Sequence, residues 1–501
     1  MLESQLSSQE QGNEAVLAEP VAPPVSLPPE TATSQVTMDS VESVAGLFSM
    51  RRDSISDSDV FFPTPLVDFT GFPDLSLVPE PPITPPTTCS STQSFSIPEL
   101  TQSELDQLYF DRIHASIPIL HQRRYLSWSK AMTKTKSRIA LQYSMWALAA
   151  MLSAQFKHLA EGFYQNAKQT LDGANLTYMG QAVTVDVELT QSWILVATYE
   201  SMRTCYNEAW ESAGRAFRLV QLMGFHELDG PGTTTAIDND AVLTEEKRKA
   251  FWMAYFLDYL FCMRNNLPVT ITEHAICTRL PGPDADFQSG QPVEAGYLSE
   301  SIVDRNPRVK SPFNECVILA AICGRTLFHI QQCNTRSVNR DLDFSWPDWH
   351  GWLDNVLALR LQILSQNYPS PASSYDSMLL FVNIMANAFI VCLYRSIGSM
   401  DWPSTQSTSM QMEYRQCALS SVEKVITLSQ ALTDFHFSKV HPLMPIPLLL
   451  SAEYLYSNHA SSAASSLLRK LFKTFRHLKN VNNPEESYND LLNLTYVFPT
   501  I

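Results

Sequence analysis

Phe251, Trp252, Tyr255, Phe256, Tyr259 and Leu260 recur at i, i+1, i+4, i+5, i+8 and i+9. A helix gathers that spacing into one apolar stripe, and a stripe this bulky has to be covered by other elements. The basic cluster Lys247-Arg248-Lys249 stands in the first turns, on the other face. The same period runs through nearly everything after Glu99. It predicts helices near 101–114, 137–157, 159–175, 187–203, 206–223, 243–264, 313–333, 348–366, 376–397, 412–434, 443–458 and 460–479. With 16 glycines in 501 residues the chain has about half the usual ~7% share, too few tight turns for a many-stranded sandwich or barrel. The expected fold class is all-α, a large multi-helix domain.

Helix starts are signalled by Ser103 before Glu104 and by Thr244 before Glu245-Glu246. Loops are marked by Asp229-Gly230-Pro231-Gly232, by Pro281-Gly282-Pro283 onward to Pro312, and by the Ser/Thr-rich run 403–409. No fixed-period repeat supports a regular solenoid. Met378–Tyr394 has only Asn383 and Asn387 as polar residues and sits at the lower edge of the ~17–25 residues that cross a bilayer. No Lys/Arg cluster flanks it, so it is expected to be a buried helix whose two amides find partners across the bundle.

The first hundred residues are unlike the rest. They hold 14 acidic residues against only Arg51 and Arg52, a net of −12 out of −16 for the chain, with 14 of the 31 prolines and no Trp or Tyr. So acidic and proline-rich a segment buries too little apolar surface to offset its ordering entropy. The expected organisation is a disordered acidic tail over 1–98 and one α-helical domain over 99–501. Within the tail, Asp57-Ser58-Asp59-Val60-Phe61-Phe62, then Asp68-Phe69, Phe72, Asp74-Leu75 and Leu77, interleave acids with apolar side chains as coactivator-binding segments do; a plain acidic linker is the blander reading. Ser54, behind Arg51-Arg52, is a candidate phosphorylation site, with an incidental match as the simpler account.

Nine cysteines stand at Cys89, Cys205, Cys262, Cys277, Cys316, Cys323, Cys333, Cys392 and Cys417, with no Cys-x-x-Cys pair. An odd, scattered set without a basic-then-apolar leader reads as reduced intracellular thiols that fill core space. No Gly-x-Ser-x-Gly, glycine-rich phosphate loop or His-Glu-x-x-His is present, and His226, His436 and His441 form no convincing ligand set. No catalytic residue, cofactor or metal is therefore expected. A chain at −16 without a finger or zipper signature is a poor direct ligand for nucleic acid. Leu468, Leu471, Phe472, Phe475 and Leu478 form a stripe opposite Arg469, Lys470, Lys473, Arg476, His477 and Lys479; this reads as the last amphipathic helix of a bundle, with partner docking as the sharper alternative.

Glu246 through Asp258, with Phe251-Trp252 and Tyr255-Phe256-Leu257-Asp258, then Pro268, then Leu280-Pro281, resembles the core of the fungal-specific transcription factor domain. That family has a charged run, Phe-Trp, Tyr-x-x-Asp, a Gly-Arg-Pro-like turn and Leu-Pro. Here Asn265-Asn266-Leu267-Pro268 replaces the turn. Two upstream segments are similar too: Leu105 to His114 leading into Pro118-Ile119-Leu120-His121, and Ala209-Trp210 through Gly214-Arg215-Ala216 to Gly224-Phe225-His226. The three cover residues 100–285 in the family's order.

The resemblance implies that Arg248, Phe251, Trp252, Tyr255, Asp258, Pro268, Leu280 and Pro281 are structural landmarks, with Arg248 and Asp258 in a buried or half-buried ion pair. It also implies a nuclear, non-enzymatic transcriptional regulator. The binuclear zinc cluster usual upstream needs six thiolates within about thirty residues, which these cysteines do not supply. The expected role is a coactivator-like accessory factor for a fungal secondary-metabolite (pigment or polyketide) gene cluster. Its partners would be a zinc-cluster transcription factor on DNA and the transcription machinery, with homo- or heterodimerisation open. The competing readings are a dominant-negative partner and a helical enzyme or metabolite-binding protein derived from the same fold.

Overall fold

A computed structural model describes residues 97–173, 186–230, 240–265, 267–271, 273–339, 346–371, 375–398, 407–458 and 460–482. Ser54 and the acidic-aromatic segment lie outside the described residues, as does the tail read over 1–98 up to residue 96. Among the described residues the secondary structure is helical throughout. The α-helices are α1 (Glu99–Arg112), α2 (Gln122–Ser129), α3 (Lys136–Met151), α4 (Ala160–Asp172), α5 (Val187–Met202), α6 (Tyr206–Leu222), α7 (Ala241–Asn265), α8 (Asp284–Ser289), α9 (Leu298–Val303) and α10 (Pro312–Asn339). They continue with α11 (Trp346–Asn367), α12 (Ser377–Gly398), α13 (Ser407–Gln430), α14 (Pro445–Ser457) and α15 (Ser462–Asn482).

Packing follows chain order. α3 lies against α1, α4 and α5; α5 and α6 pair and cover α7; α7 meets α10; α12 packs on α10, α13 and α14; α15 closes against α13 and α14. α5 and α7 are the inner elements. On α5, Ser192 and Thr198 return their hydroxyls to the Glu188 and Ile194 carbonyls, at 2.7 and 2.9 Å, which lets polar side chains sit in an apolar environment. On α7 every residue from Lys249 to Met263 is buried. The predicted aromatic stripe is therefore core on all sides, with Phe256 edge-on to Phe381 of α12 at 6.2 Å. Gly324 of α10 makes one close approach possible: a Cβ there would lie 2.1 Å from Cε1 of Tyr259, so the two helices meet ring against backbone only because this residue is glycine.

Several boundaries differ from the sequence reading. α7 starts at Ala241, not near Thr244, because the Asp240 carboxylate accepts the amides of Val242 and Leu243, both at 3.1 Å. α1 starts at Glu99 after Pro98, which puts Ser103 inside the helix. The stretch from Pro281 to Pro312 contains α8 and α9, each too short to show a period, and α13 takes in residues 407–409 of the Ser/Thr-rich run. α2 escaped notice for the same reason.

The apolar helix α12 is long and apolar enough to span a membrane, and it lies buried among its neighbours. Its amides do not reach across the bundle. Asn383 donates to the Leu379 carbonyl at 2.8 Å and Asn387 to the Asn383 carbonyl at 2.9 Å, so each amide nitrogen bonds four residues back along its own helix, while the Asn387 side-chain oxygen is buried without a partner. On α15, Leu467, Leu471 and Phe475 are buried and Arg469, Lys470 and Lys473 exposed, the arrangement of a closing amphipathic helix. The side chains of Arg476, His477, Leu478 and Lys479 lie outside the described residues.

Candidate functional site

Early in α7 stand five charged side chains in a row, Glu245 to Lys249, of which Glu245, Glu246, Arg248 and Lys249 turn towards the rest of the domain. None stands on a solvent face. Glu246 is 3% exposed and Lys249 1% exposed. Burying charges is costly unless each finds a counter-charge and hydrogen bonds. Each of the four is answered by a different part of the chain.

Glu245 accepts the Gly282 amide through Oε1 at 2.8 Å and pairs through Oε2 with Arg248. Arg248 Nη2 reaches Asp229 Oδ1 at 2.8 Å, and the other Asp229 oxygen accepts the Arg279 amide at 2.8 Å. The indole nitrogen of Trp252, one turn on, donates to the Arg279 carbonyl at 2.6 Å. The Leu280 amide donates to Gly296 at 3.0 Å, and the Pro281 carbonyl accepts from Asn314 at 3.0 Å. Thus Arg248, Trp252, Leu280 and Pro281 meet in one cluster, tied by Asp229, which the sequence reading took for a turn residue.

On the adjacent face Glu246 Oε1 accepts the His121 amide and the Gln191 side chain, both at 3.2 Å, while Arg124 Nε stands 2.9 Å from Oε2. Lys249 lies 3.4 Å from Asp284 and 4.9 Å from the centre of the Phe287 ring. Asp284 in turn meets His114 at 3.1 Å. Burial pushes Asp284 up, but His114 and Lys249 together overcome it and hold the carboxyl at about 2. The Lys249 ammonium is pushed down by burial, which Asp284 only partly offsets. The segment from His114 to His121 therefore joins the α7 cluster through partners more than a hundred residues away.

Burial pushes Glu246 up to about 7, against the pull of Arg124, the His121 amide and Gln191. A carboxyl whose folded value lies above its unfolded value of 4.5 contributes stability that is fully present below pH 4.5 and lost as pH rises through 7. Glu246→Gln is therefore expected to gain on wild type by about 2 kcal/mol in chemical unfolding between pH 5 and pH 8, with the advantage vanishing below pH 5. A difference that is flat across that range defeats the assignment.

Further along α7, Tyr255 stacks on Tyr259 at 4.2 Å, and Tyr259 donates to the Ile271 carbonyl at 2.6 Å. Asp258 is not ion-paired with Arg248, contrary to the expectation. Ten residues of helix set the two about 15 Å apart along the axis. Asp258 instead accepts from Thr270, through Oγ1 at 3.0 Å and more weakly through the amide at 3.4 Å, and burial pushes it up to about 6. Pro268 lies in the same loop as Thr270, its carbonyl 3.3 Å from the Cys262 sulfur.

Beside Asp258 opens a cavity of about 930 Å³ between α5, α6 and α7, with Trp193, Trp210, Arg215 and Arg218 in its lining. Among the described residues no group of three His, Cys, Asp or Glu side chains is arranged to hold a metal, and Cys262, Cys316 and Cys323 are buried singly in the core.

The model of the fungal specific transcription factor domain matches residues 107–437, which include all the landmark positions and extend well past the segment 100–285 that carried the resemblance. The chain belongs to that family. It is 54% identical over 455 residues to the citrinin biosynthesis transcriptional activator of Monascus purpureus, covering 89% of this chain and 77% of that protein. Identity is 41% to the pigment biosynthesis transcriptional activator of Monascus ruber, with 79% and 75% covered. It is likewise 41% to the ascochitine biosynthesis cluster transcriptional regulator of Didymella fabae, with 78% and 73% covered. No solved structure gives a significant match. The chain is thus a member of a family of transcription regulators, not of enzymes.

Proposed function

We propose that this chain is a pathway-specific activator of a fungal secondary-metabolite gene cluster, of pigment or polyketide type, that acts in the nucleus. We further propose that these 501 residues reach DNA through a zinc-cluster partner. The observation that carries the first part is the 54% identity, over nearly nine tenths of the chain, to an activator of citrinin biosynthesis. The second part is supported by the cysteines: none of the nine is spaced as Cys-x-x-Cys, and the buried ones carry thiols pushed up by burial, Cys262 to about 12, where metal binding would need thiolates. That the citrinin and pigment relatives are activators also favours activation over dominant-negative inhibition.

Genome-wide occupancy of the tagged protein in its own cells tests the reading, paired with DNA binding by the purified chain. Occupancy at a few clustered promoters, with no affinity of the purified chain for the same DNA, is the expected result. Tight sequence-specific binding by the chain alone overturns recruitment through a partner. No enrichment under expressing conditions overturns the regulator reading. A rise in cluster transcripts on deletion of the gene overturns the assignment as activator.

A further inference from the structure

The cavity beside Asp258 lies apart from the charge clusters at the start of α7. Its volume, about 930 Å³, falls within the ~300–1,000 Å³ of small-molecule sites. Two tryptophans line it: Trp210 on α6, a residue 39% exposed, offers an open ring, while Trp193 on α5 is buried with the Lys168 ammonium 5.2 Å from its ring centre. Arg215 belongs to the wall, since its guanidinium lies 4.7 Å above the Trp193 ring and is committed to Asp172 at 3.0 Å and Glu211 at 3.1 Å. Arg218 is different. Its hydrogen bond is to the neutral Gln221 amide oxygen at 3.0 Å, and among the described residues no carboxylate lies within ion-pairing distance of it.

Asp258 faces the same space with acceptor capacity to spare. An ionised carboxylate offers about four acceptor positions, and Thr270 occupies one well and one poorly. The lining thus offers a nearly buried acceptor in Asp258, an exposed guanidinium in Arg218 and the half-open ring of Trp210. The lining carries three carboxylates, Asp172, Glu211 and Asp258, and two guanidiniums; Arg215 is held by Asp172 and Glu211, which leaves Asp258 and Arg218 as the two charged groups open to an occupant. A flat molecule with a hydroxyl to donate and a carbonyl or carboxylate to accept meets every requirement.

We propose that this cavity binds a hydroxylated aromatic carbonyl compound or acid, stacked against Trp210, with its hydroxyl on Asp258 and its carbonyl or carboxylate on Arg218. This rests on the reading of the chain as a regulator of secondary metabolism only for its meaning in the cell, where such a molecule would be an effector. Asp258 stands on the helix that carries the Arg248 and Glu246 clusters, so an occupant touches the element around which the domain is built.

The test uses the purified full chain and 6-hydroxy-2-naphthoate, whose hydroxyl and carboxylate stand at opposite ends of the ring system, followed by tryptophan quenching and equilibrium dialysis. One-to-one saturable binding is expected, weakened about tenfold or more by Trp210→Ala and by Arg218→Ala, both exposed positions, and unchanged by Arg469→Ala on α15. The 2-naphthoate analogue, lacking the hydroxyl, is expected to bind about tenfold more weakly to wild type and equally weakly to Asp258→Asn. Absence of saturable binding up to the solubility limit overturns the proposal. So does binding that survives in both the Trp210 and Arg218 variants with circular dichroism unchanged, or tighter binding of naphthylmethylammonium. Because the readout is binding by isolated protein, its failure leaves the promoter-occupancy result standing, and the reverse also holds.

Discussion

Trp252→Ala is expected to destabilise the domain by about 5 kcal/mol, the largest effect of any landmark substitution. The side chain is fully buried, and deleting a buried tryptophan costs roughly 3–5 kcal/mol in transfer and cavity terms. Its indole also donates to the Arg279 carbonyl at 2.6 Å; stripping that partner leaves a buried acceptor unmet, at about 1–3 kcal/mol. Ring neighbours cannot close the gap, because Phe251 at 4.9 Å and Tyr255 at 5.3 Å are themselves held by the packing of α7. A loss of this size approaches the whole stability of an ordinary domain, ~5–15 kcal/mol. Urea unfolding followed by circular dichroism reads it as a large fall in midpoint. Trp252→Phe keeps most of the packing, loses the donor, and should fall by about 1–3 kcal/mol. If alanine costs no more than phenylalanine, the cluster is not where the stability of this region lies.

The helical character of the chain was legible because apolar spacing reports directly which positions a helix hides. The stripe from Phe251 to Leu260 is the clearest case, and it lies in the core as the pattern requires. Spacing says nothing of what covers the polar side. The pattern puts Lys249 in a basic run opposite the stripe and Glu246 among first-turn acids, yet their partners are His121, Arg124, Gln191 and Asp284, up to 125 residues away in sequence. Asp229 hid behind the turn signature that follows it, and its role emerges only when the Arg279 backbone arrives beside it. Asp258 is instructive in the opposite sense. Its place in the motif suggested a charged partner, but a short loop through Pro268 delivers a neutral threonine, and the carboxyl is left facing a cavity. The residues of that cavity, Trp193, Trp210 and Arg218, carried no local signal, since three helices have to converge before they face one another.

Removing the Arg248 guanidinium is the second large expected effect. Its two carboxylate partners, Asp229 and Glu245, are also the acceptors for the Arg279 and Gly282 amides, so they cannot turn away to water when the arginine is lost. Arg248→Met keeps the apolar stem and leaves two half-buried carboxylates side by side without their shared cation. Breaking a buried pair from one side costs about 3–5 kcal/mol, and this value is expected here by chemical unfolding at neutral pH. Arg248→Lys restores the charge but not the planar fork that spans both acids, so it should recover only part of the loss. The decisive comparison is the double variant Arg248→Met with Glu245→Gln. Neutralising one acid relieves the repulsion the first change creates, so the pair should be less destabilised than the sum of the singles by about 1–2 kcal/mol. Strict additivity would mean that the arginine acts by packing alone. In cells the same loss appears as lower abundance of the folded regulator, because a shift of a few kcal/mol raises the unfolded fraction that proteases remove.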